Sequence, residues 1–143
     1  MWFFNEEERE IQRVAKSFAD KELAPVAASL DKKEEFNLKA FKKMGEVGLL
    51  GITADPEYGG ASLGATAATI VMEEFGKACA SSALSYLAHS ILCVNNIQVN
   101  GSKEQKEKYL PGLITGEKIG CMGMSEPEFG SDALGIQTKA QLN

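Results

Sequence analysis

The sequence is poor in the residues that carry metal and nucleic-acid chemistry. It has one histidine, three cysteines, and fifteen Lys and Arg against twenty Asp and Glu, for a net charge of −5. That balance argues against a nucleic-acid binder, which carries a basic surface. It leaves a small anionic ligand open, because a few local donors suffice to hold one. Cys79, Cys93 and Cys121 fit no metal-ligand spacing, so no metal site is expected. An odd count suits reduced thiols, and their small or apolar neighbours read as core filler. The lone histidine, His89, reads as a satisfied helix residue rather than a catalytic group. No apolar run is long enough to cross a bilayer. Met1-Trp2-Phe3-Phe4 is too short for a signal segment and is followed at once by acids; it reads as a hydrophobic staple onto the first helix. There is no internal repeat and no low-complexity stretch.

What is present is the material of one globular core: 143 residues, 44% apolar and 24% charged. Asn5 with Glu8 is a capping-box pattern, and Ile11, Val14, Ala15 and Phe18 follow at helical spacing. A first helix is expected to about Ala28, kinked or broken near Pro25. A second is expected over Leu38 to Val47, with Leu38, Phe41 and Met44 on one face. The Asp55-Pro56-Glu57-Tyr58-Gly59-Gly60 segment reads as a turn in which the paired glycines permit positive φ. A third helix runs from Gly64 to Lys77 with Ala67, Ile70, Val71 and Phe75 as its apolar stripe. Glu73 and Glu74 beside it are adjacent, do not face each other, and read as a solvated face. A fourth, Ala80 to Asn96, is nearly apolar all round, which suits a core. Ser102 with Gln105 opens a fifth over Lys103 to Leu110, ended by Pro111-Gly112, with one more turn at Leu113 to Thr115. Lys118 to Met124 then reads as a buried strand, and Gly135 to Leu142 as a weakly alternating second one. The fold is therefore mainly α: five or six helices over residues 1–116, then the opening of a β region over 117–143.

Chemistry is concentrated in Met122-Gly-Met-Ser-Glu-Pro-Glu-Phe-Gly-Ser-Asp132. Ser125 stands at the strand end, Pro127 turns the chain, and Gly130 allows close backbone approach. The Ser125 and Ser131 hydroxyls and the Gly130-Ser131 amides suit a polar heterocycle or a phosphate ester. On spacing alone, the segment reads first as a strand-terminating turn with capping serines.

The run Gly123-Met-Ser-Glu-Pro, then Gly130-Ser-Asp and Gly135, resembles the signature of the acyl-CoA dehydrogenase family. Tyr58-Gly59-Gly60, Val71-Met72-Glu73-Glu74 and Gln105 to Pro111 resemble that family's segments in the same order, so the similarity covers the chain from about Asn5 on. Ser85-Tyr86 with Ala88-His89-Ser90 resembles the isovaleryl-CoA branch. One residue departs: the position of Phe129 is usually small in the family. The resemblance implies a subunit with an amino-terminal helical domain (1–116 here), a middle β-barrel that 117–143 only begins, and a second helical domain, assembled as a homotetramer. It implies FAD as cofactor, an acyl-CoA thioester as substrate, trans-2-enoyl-CoA as product, and an electron-transferring flavoprotein as electron acceptor. No nucleic-acid or membrane partner is implied, and the setting is the bacterial cytoplasm or the mitochondrial matrix. Carried over by position, Met122, Met124, Ser125, Gly130 and Ser131 are expected flavin contacts, with Ser131 also reaching the substrate. Ala88 and Leu92, in a stripe with Leu84, are expected to line the acyl pocket, although plain core packing explains them as well. Glu126 and Asp132 are expected to fix the loop by accepting backbone N–H bonds. No catalytic residue is expected in this chain, because the glutamate base of the family lies in the carboxyl-terminal domain. Alternative readings are a fragment of an acyl-CoA oxidase and a non-catalytic helical module.

Overall fold

The structure, a computed structural model, describes residues 4–141. These residues form a bundle of five helical rods. The first is α1 (Glu6–Phe18), a wide π turn (Ala19–Leu23) and α2 (Ala24–Lys33) in unbroken succession. α3 (Leu38–Glu46) and α4 (Gly64–Ala78) follow. The fourth rod joins α5 (Ala80–Tyr86), a second π segment (Leu87–Val94) and α6 (Asn95–Asn100), and α7 (Lys103–Ile114) completes the bundle.

Both expected capping boxes are formed. Asn5 accepts the Glu8 amide at 2.8 Å while its own N–H donates to the Glu8 carboxylate at 2.9 Å. Ser102 and Gln105 repeat the exchange at 3.3 and 2.8 Å. Each pair satisfies two of the donors that a helix start leaves open. α1 lies along α4, and α4 along α5. The main core gathers Ala15, Phe18, Phe41, Leu50, Val71, Phe75 and Tyr86. Phe75 stands at its centre, 5.6 Å from the Phe18 ring and 5.5 Å edge-on to Tyr86. The expected α4 stripe of Ala67, Ile70, Val71 and Phe75 is buried throughout. A smaller cluster of Ala54, Val94, Leu110, Leu113 and Ile114 fastens α7 to the fourth rod.

Several boundaries differ from the sequence reading, each for a local reason. Pro25 does not break the first rod. The Ala24 amide bonds five residues back to Ala19 in the π turn, and the proline falls in the next helix's first turn, where its missing N–H costs little. The rod therefore runs to Lys33 and ends at Glu34, in the left-handed region at φ 55°. Pro111 lies inside α7, because the helix continues far enough to bury Leu113 and Ile114. Of the paired glycines, Gly59 takes positive φ, whereas Gly60 is pressed against the Ala54 carbonyl.

The expected strands are corrected. No strand occurs among the described residues. Residues 118–124 form no ladder with another segment beyond the single Lys118 amide bond to the Gly112 carbonyl at 2.8 Å, and Ile119, Cys121 and Met124 are exposed, so the segment is not buried. Within 135–142, the Gln137 and Thr138 amides bond a side chain instead of a neighbouring strand, and Leu142 lies outside the described residues. An isolated strand leaves its ladder groups unpaired, so apolar punctuation alone does not make one. The staple assigned to residues 1–4 also falls mostly outside the described residues; Phe4 lines a cleft with Ala65, Thr69 and Ile70 of α4.

Candidate functional site

The segment leading to the signature is tied to the bundle by His89. This residue sits in the π segment of the fourth rod and has no exposed surface. Its Nε2 lies 3.0 Å from the Leu113 carbonyl oxygen, which can only accept, so Nε2 carries the proton. Nδ1 then accepts the Gly120 N–H at 2.9 Å. Phe41 stands edge-on, with ring centroids 4.9 Å apart. Burial pushes the imidazole below its ordinary value, and the Gly120 bond needs the Nδ1 lone pair, so His89 is neutral in one fixed tautomer. The satisfied-histidine reading holds, but the sequence offered no sign that its two partners are the end of α7 and the approach to the signature. Gly120 is where the chain passes Cys93: a Cβ there would overlap the Cys93 Sγ.

Beyond Gly120 the signature forms a loop held by few bonds. Glu126 and Phe129 exchange backbone bonds, N–H to O, at 2.8 and 3.2 Å across the Pro127 turn. The Glu126 carboxylate accepts the Gln137 amide at 2.9 Å, the Thr138 amide at 2.8 Å and the Thr138 hydroxyl. Those donors, the hydroxyl first, hold its carboxyl below the usual carboxylate range. The expected loop-fixing role of Glu126 is thus visible. The same role expected of the Asp132 carboxylate is not seen among the described residues; only its backbone carbonyl takes part, accepting the Gly135 amide at 3.1 Å. The ring of Phe129 packs on Gly135, where a Cβ would overlap it, so the bulky departure is absorbed within the loop.

Met124, Ser125, Gly130 and Ser131 are exposed, and Met122 is half-buried. Among the described residues no hydrogen bond engages the Ser125 or Ser131 hydroxyl, nor the Gly130 or Ser131 amide. A Cβ at Gly130 would meet nothing within 4 Å, so the chain's own packing does not fill that face. This donor set fits the polar edge of a flavin: hydroxyls and amides that are not consumed internally, with thioethers beside them.

The fourth rod is not buried on all sides, contrary to expectation. Tyr86, His89, Ser90 and Val94 face the core, while Leu84 is 65% exposed and Leu92 37%, with Ala88 half-buried between them. Leu92 continues into a cleft of about 380 Å³ shared with Cys93, Asn96, Tyr109, Cys121 and Met122. An apolar stripe thus meets the signature segment at this cleft. Cys121 is exposed and Cys79 and Cys93 are half-buried, so the core-filler reading fails for Cys121. Glu74 is a further correction. It is 5% exposed, accepts from Gln12 at 3.1 Å and pairs with Lys77 at 2.8 Å, while Glu73 alone is solvated. A stripe of period 3.6 does not show that a neighbouring helix supplies a polar partner for the residue at its edge. Among the described residues no three His, Cys, Asp or Glu side chains converge as a metal set, and no helix is long and apolar enough to cross a membrane.

Comparison with known proteins places this geometry. Residues 5–117 match the acyl-CoA dehydrogenase N-terminal domain. The chain is 47% identical over 139 residues to the mitochondrial isovaleryl-CoA dehydrogenase of Pongo abelii, an alignment covering 96% of this chain and 33% of that protein. Its fold superimposes with a TM-score of 0.84 and 36% identity on an acyl-CoA dehydrogenase from Bacillus anthracis complexed with FAD, covering 93% of this chain and 23% of that one. It superimposes with a TM-score of 0.92 and 35% identity on a structure described as the electron transferring flavoprotein of Acidaminococcus fermentans, covering 100% of this chain and 38% of that one. The chain spans about a third of the length of the curated relatives it matches. With the helical order, the signature loop and these likenesses in agreement, the chain belongs to the acyl-CoA dehydrogenase family and carries its amino-terminal domain.

Proposed function

We propose that this chain forms one wall of the flavin and acyl-CoA site of an FAD-dependent acyl-CoA dehydrogenase that converts an acyl-CoA thioester to its trans-2-enoyl-CoA. Bound FAD supplies the hydride-accepting chemistry at flavin N5. Ser125 donates to the polar edge of the isoalloxazine, and the Gly130-Ser131 amides and the Ser131 hydroxyl hold the region where flavin and pantetheine meet. Met122 and Met124 provide soft apolar contact. Leu84, Ala88 and Leu92 line the acyl pocket, and the small Ala88 leaves room for a chain or a branch. Residues 1–116 act as the helical domain and 117–143 as the start of the middle β domain.

The observation that carries this reading is the exposed set of Ser125, Gly130 and Ser131, free of bonds to the described residues. The base that removes the α-proton is assigned outside this chain. Glu74 is engaged by Gln12 and Lys77, and Glu126 by its own loop, so neither carboxylate is placed to reach a substrate. The electron acceptor is an electron-transferring flavoprotein, the assembly is a tetramer, and the setting is the mitochondrial matrix or the bacterial cytoplasm.

An absorbance test decides the proposal. The 143-residue chain alone should purify colourless, because it supplies only part of the flavin contacts. Protein in which this chain is joined by the remaining domains should show a flavin spectrum that bleaches when acyl-CoA is added without oxygen. Absence of flavin from that protein, or a bound flavin that acyl-CoA leaves unchanged, refutes the reading.

A further inference from the structure

We propose that Glu126 is the positioning residue of the flavin loop, a latch whose carboxylate gathers Gln137 and Thr138 and thereby fixes how Ser125 and Ser131 are presented. The inference rests on the flavin reading above. From Glu117 onward the described residues contain no helix or strand except the short 3-10 turn Ala133–Gly135, so regular backbone pairing cannot set this loop's shape. What closes it is one side chain. Glu126 Oε2 takes the Gln137 amide at 2.9 Å, and Oε1 takes the Thr138 amide at 2.8 Å together with the Thr138 hydroxyl. The reciprocal Glu126–Phe129 turn and the Phe129 ring on Gly135 fill the enclosed space. The residue before the latch is Ser125, and Gly130-Ser131 lies within the span it closes, so both expected flavin contacts depend on it.

The chemistry of the latch requires a carboxylate. All three partners are donors, and both oxygens of an ionised glutamate accept. An amide of the same shape would set its NH2 against one of those donors. Glu126→Gln is therefore expected to release the latch while leaving loop volume and the helical bundle unchanged.

Two measurements on Glu126→Gln test the inference. In the 143-residue chain, amide hydrogen exchange at Gln137 and Thr138 should accelerate by about tenfold or more, as expected for losing hydrogen bonds to a charged acceptor. The Val71 and Phe75 amides in the core should not change. Exchange at 137 and 138 equal to wild type overturns the proposal. In flavin-loaded protein containing the chain, Glu126→Gln should weaken FAD affinity by about tenfold or more for the same reason, and should shift the visible bands of the flavin that remains. Glu107→Gln, on the exposed face of α7, should do neither. If wild type takes up FAD and Glu126→Gln matches it in affinity and spectrum, the proposal falls. If wild type takes up no FAD, the flavin reading falls, and the exchange measurement alone decides whether the latch exists.

Discussion

Replacing His89 should destabilise the chain in a way that depends on what replaces it and on pH. His89→Leu fills most of the space but leaves the Gly120 amide without its partner, while the Leu113 carbonyl keeps the Gly116 amide at 3.0 Å. Orphaning that one buried donor is expected to cost about 1–3 kcal/mol. His89→Gln keeps one donor and one acceptor near the same points and should cost less than half as much. The pH dependence follows from the neutral folded state. Burial lowers the folded pKa below the unfolded value of about 6.5. The stabilising contribution is therefore complete above that pH. It is lost as pH falls toward the folded pKa, with a slope of up to about 1.4 kcal/mol per pH unit for one proton. Urea unfolding followed by far-ultraviolet circular dichroism, at neutral pH and at pH near 5, reads both effects. Wild type should lose stability over that interval more steeply than His89→Gln, since the remaining carboxylates titrate alike in both proteins. A His89→Leu chain as stable as wild type, or a His89→Gln chain with the same acid slope, refutes the assignment of a neutral bridging histidine.

Three further outcomes are expected. Gly120→Ala places a Cβ on the Cys93 sulfur and should cost about 1–3 kcal/mol by overpacking; adding Cys93→Ala should restore much of that loss in thermal unfolding, and additive losses would contradict the contact. Ser102→Ala removes the α7 cap and should lower stability by about 1 kcal/mol in the same assay. Leu84→Lys, at a 65% exposed position, should change the stability of the chain by no more than about 0.5 kcal/mol. In flavin-loaded protein it should raise the acyl-CoA concentration needed for half-maximal bleaching.

The helical part of the fold was legible because its signals are local. The Asn5 and Ser102 boxes lie within one turn of each helix start, and the Ala67, Ile70, Val71 and Phe75 stripe is a matter of period alone. What was missed depends on contacts distant in sequence. Gln12 lies 62 residues from Glu74, and no pattern near either announces that the carboxylate is buried. The strand expectation failed because a strand is defined by its partner, and Lys118 to Met124 has none among the described residues. Proline was overweighted at both Pro25 and Pro111, since the wide turn before the first and the buried Leu113 and Ile114 after the second were not visible in the residues themselves. In the signature, the types of residue at Ser125, Gly130 and Ser131 pointed to a ligand, and Glu126 to a structural part. The pairing of Glu126 with Gln137 and Thr138 spans a loop whose path the sequence does not specify.

The two π segments limit how these rods can vary. Each widened turn accommodates one residue more than a regular helix would, and a residue in an α-helix advances the face by about 100°. Deleting a single residue from the regular turns of α5, with the π segment Leu87–Val94 kept, would swing α6 by about 100° relative to the start of the rod. Gln98 would then leave Asp55, to which it donates at 2.6 Å, and the Asn96 side of the cleft would turn from Met122. A one-residue change of length should therefore be absorbed within Leu87–Val94 and excluded from the regular turns on either side, because the widened segment sets the phase between the two ends of the rod.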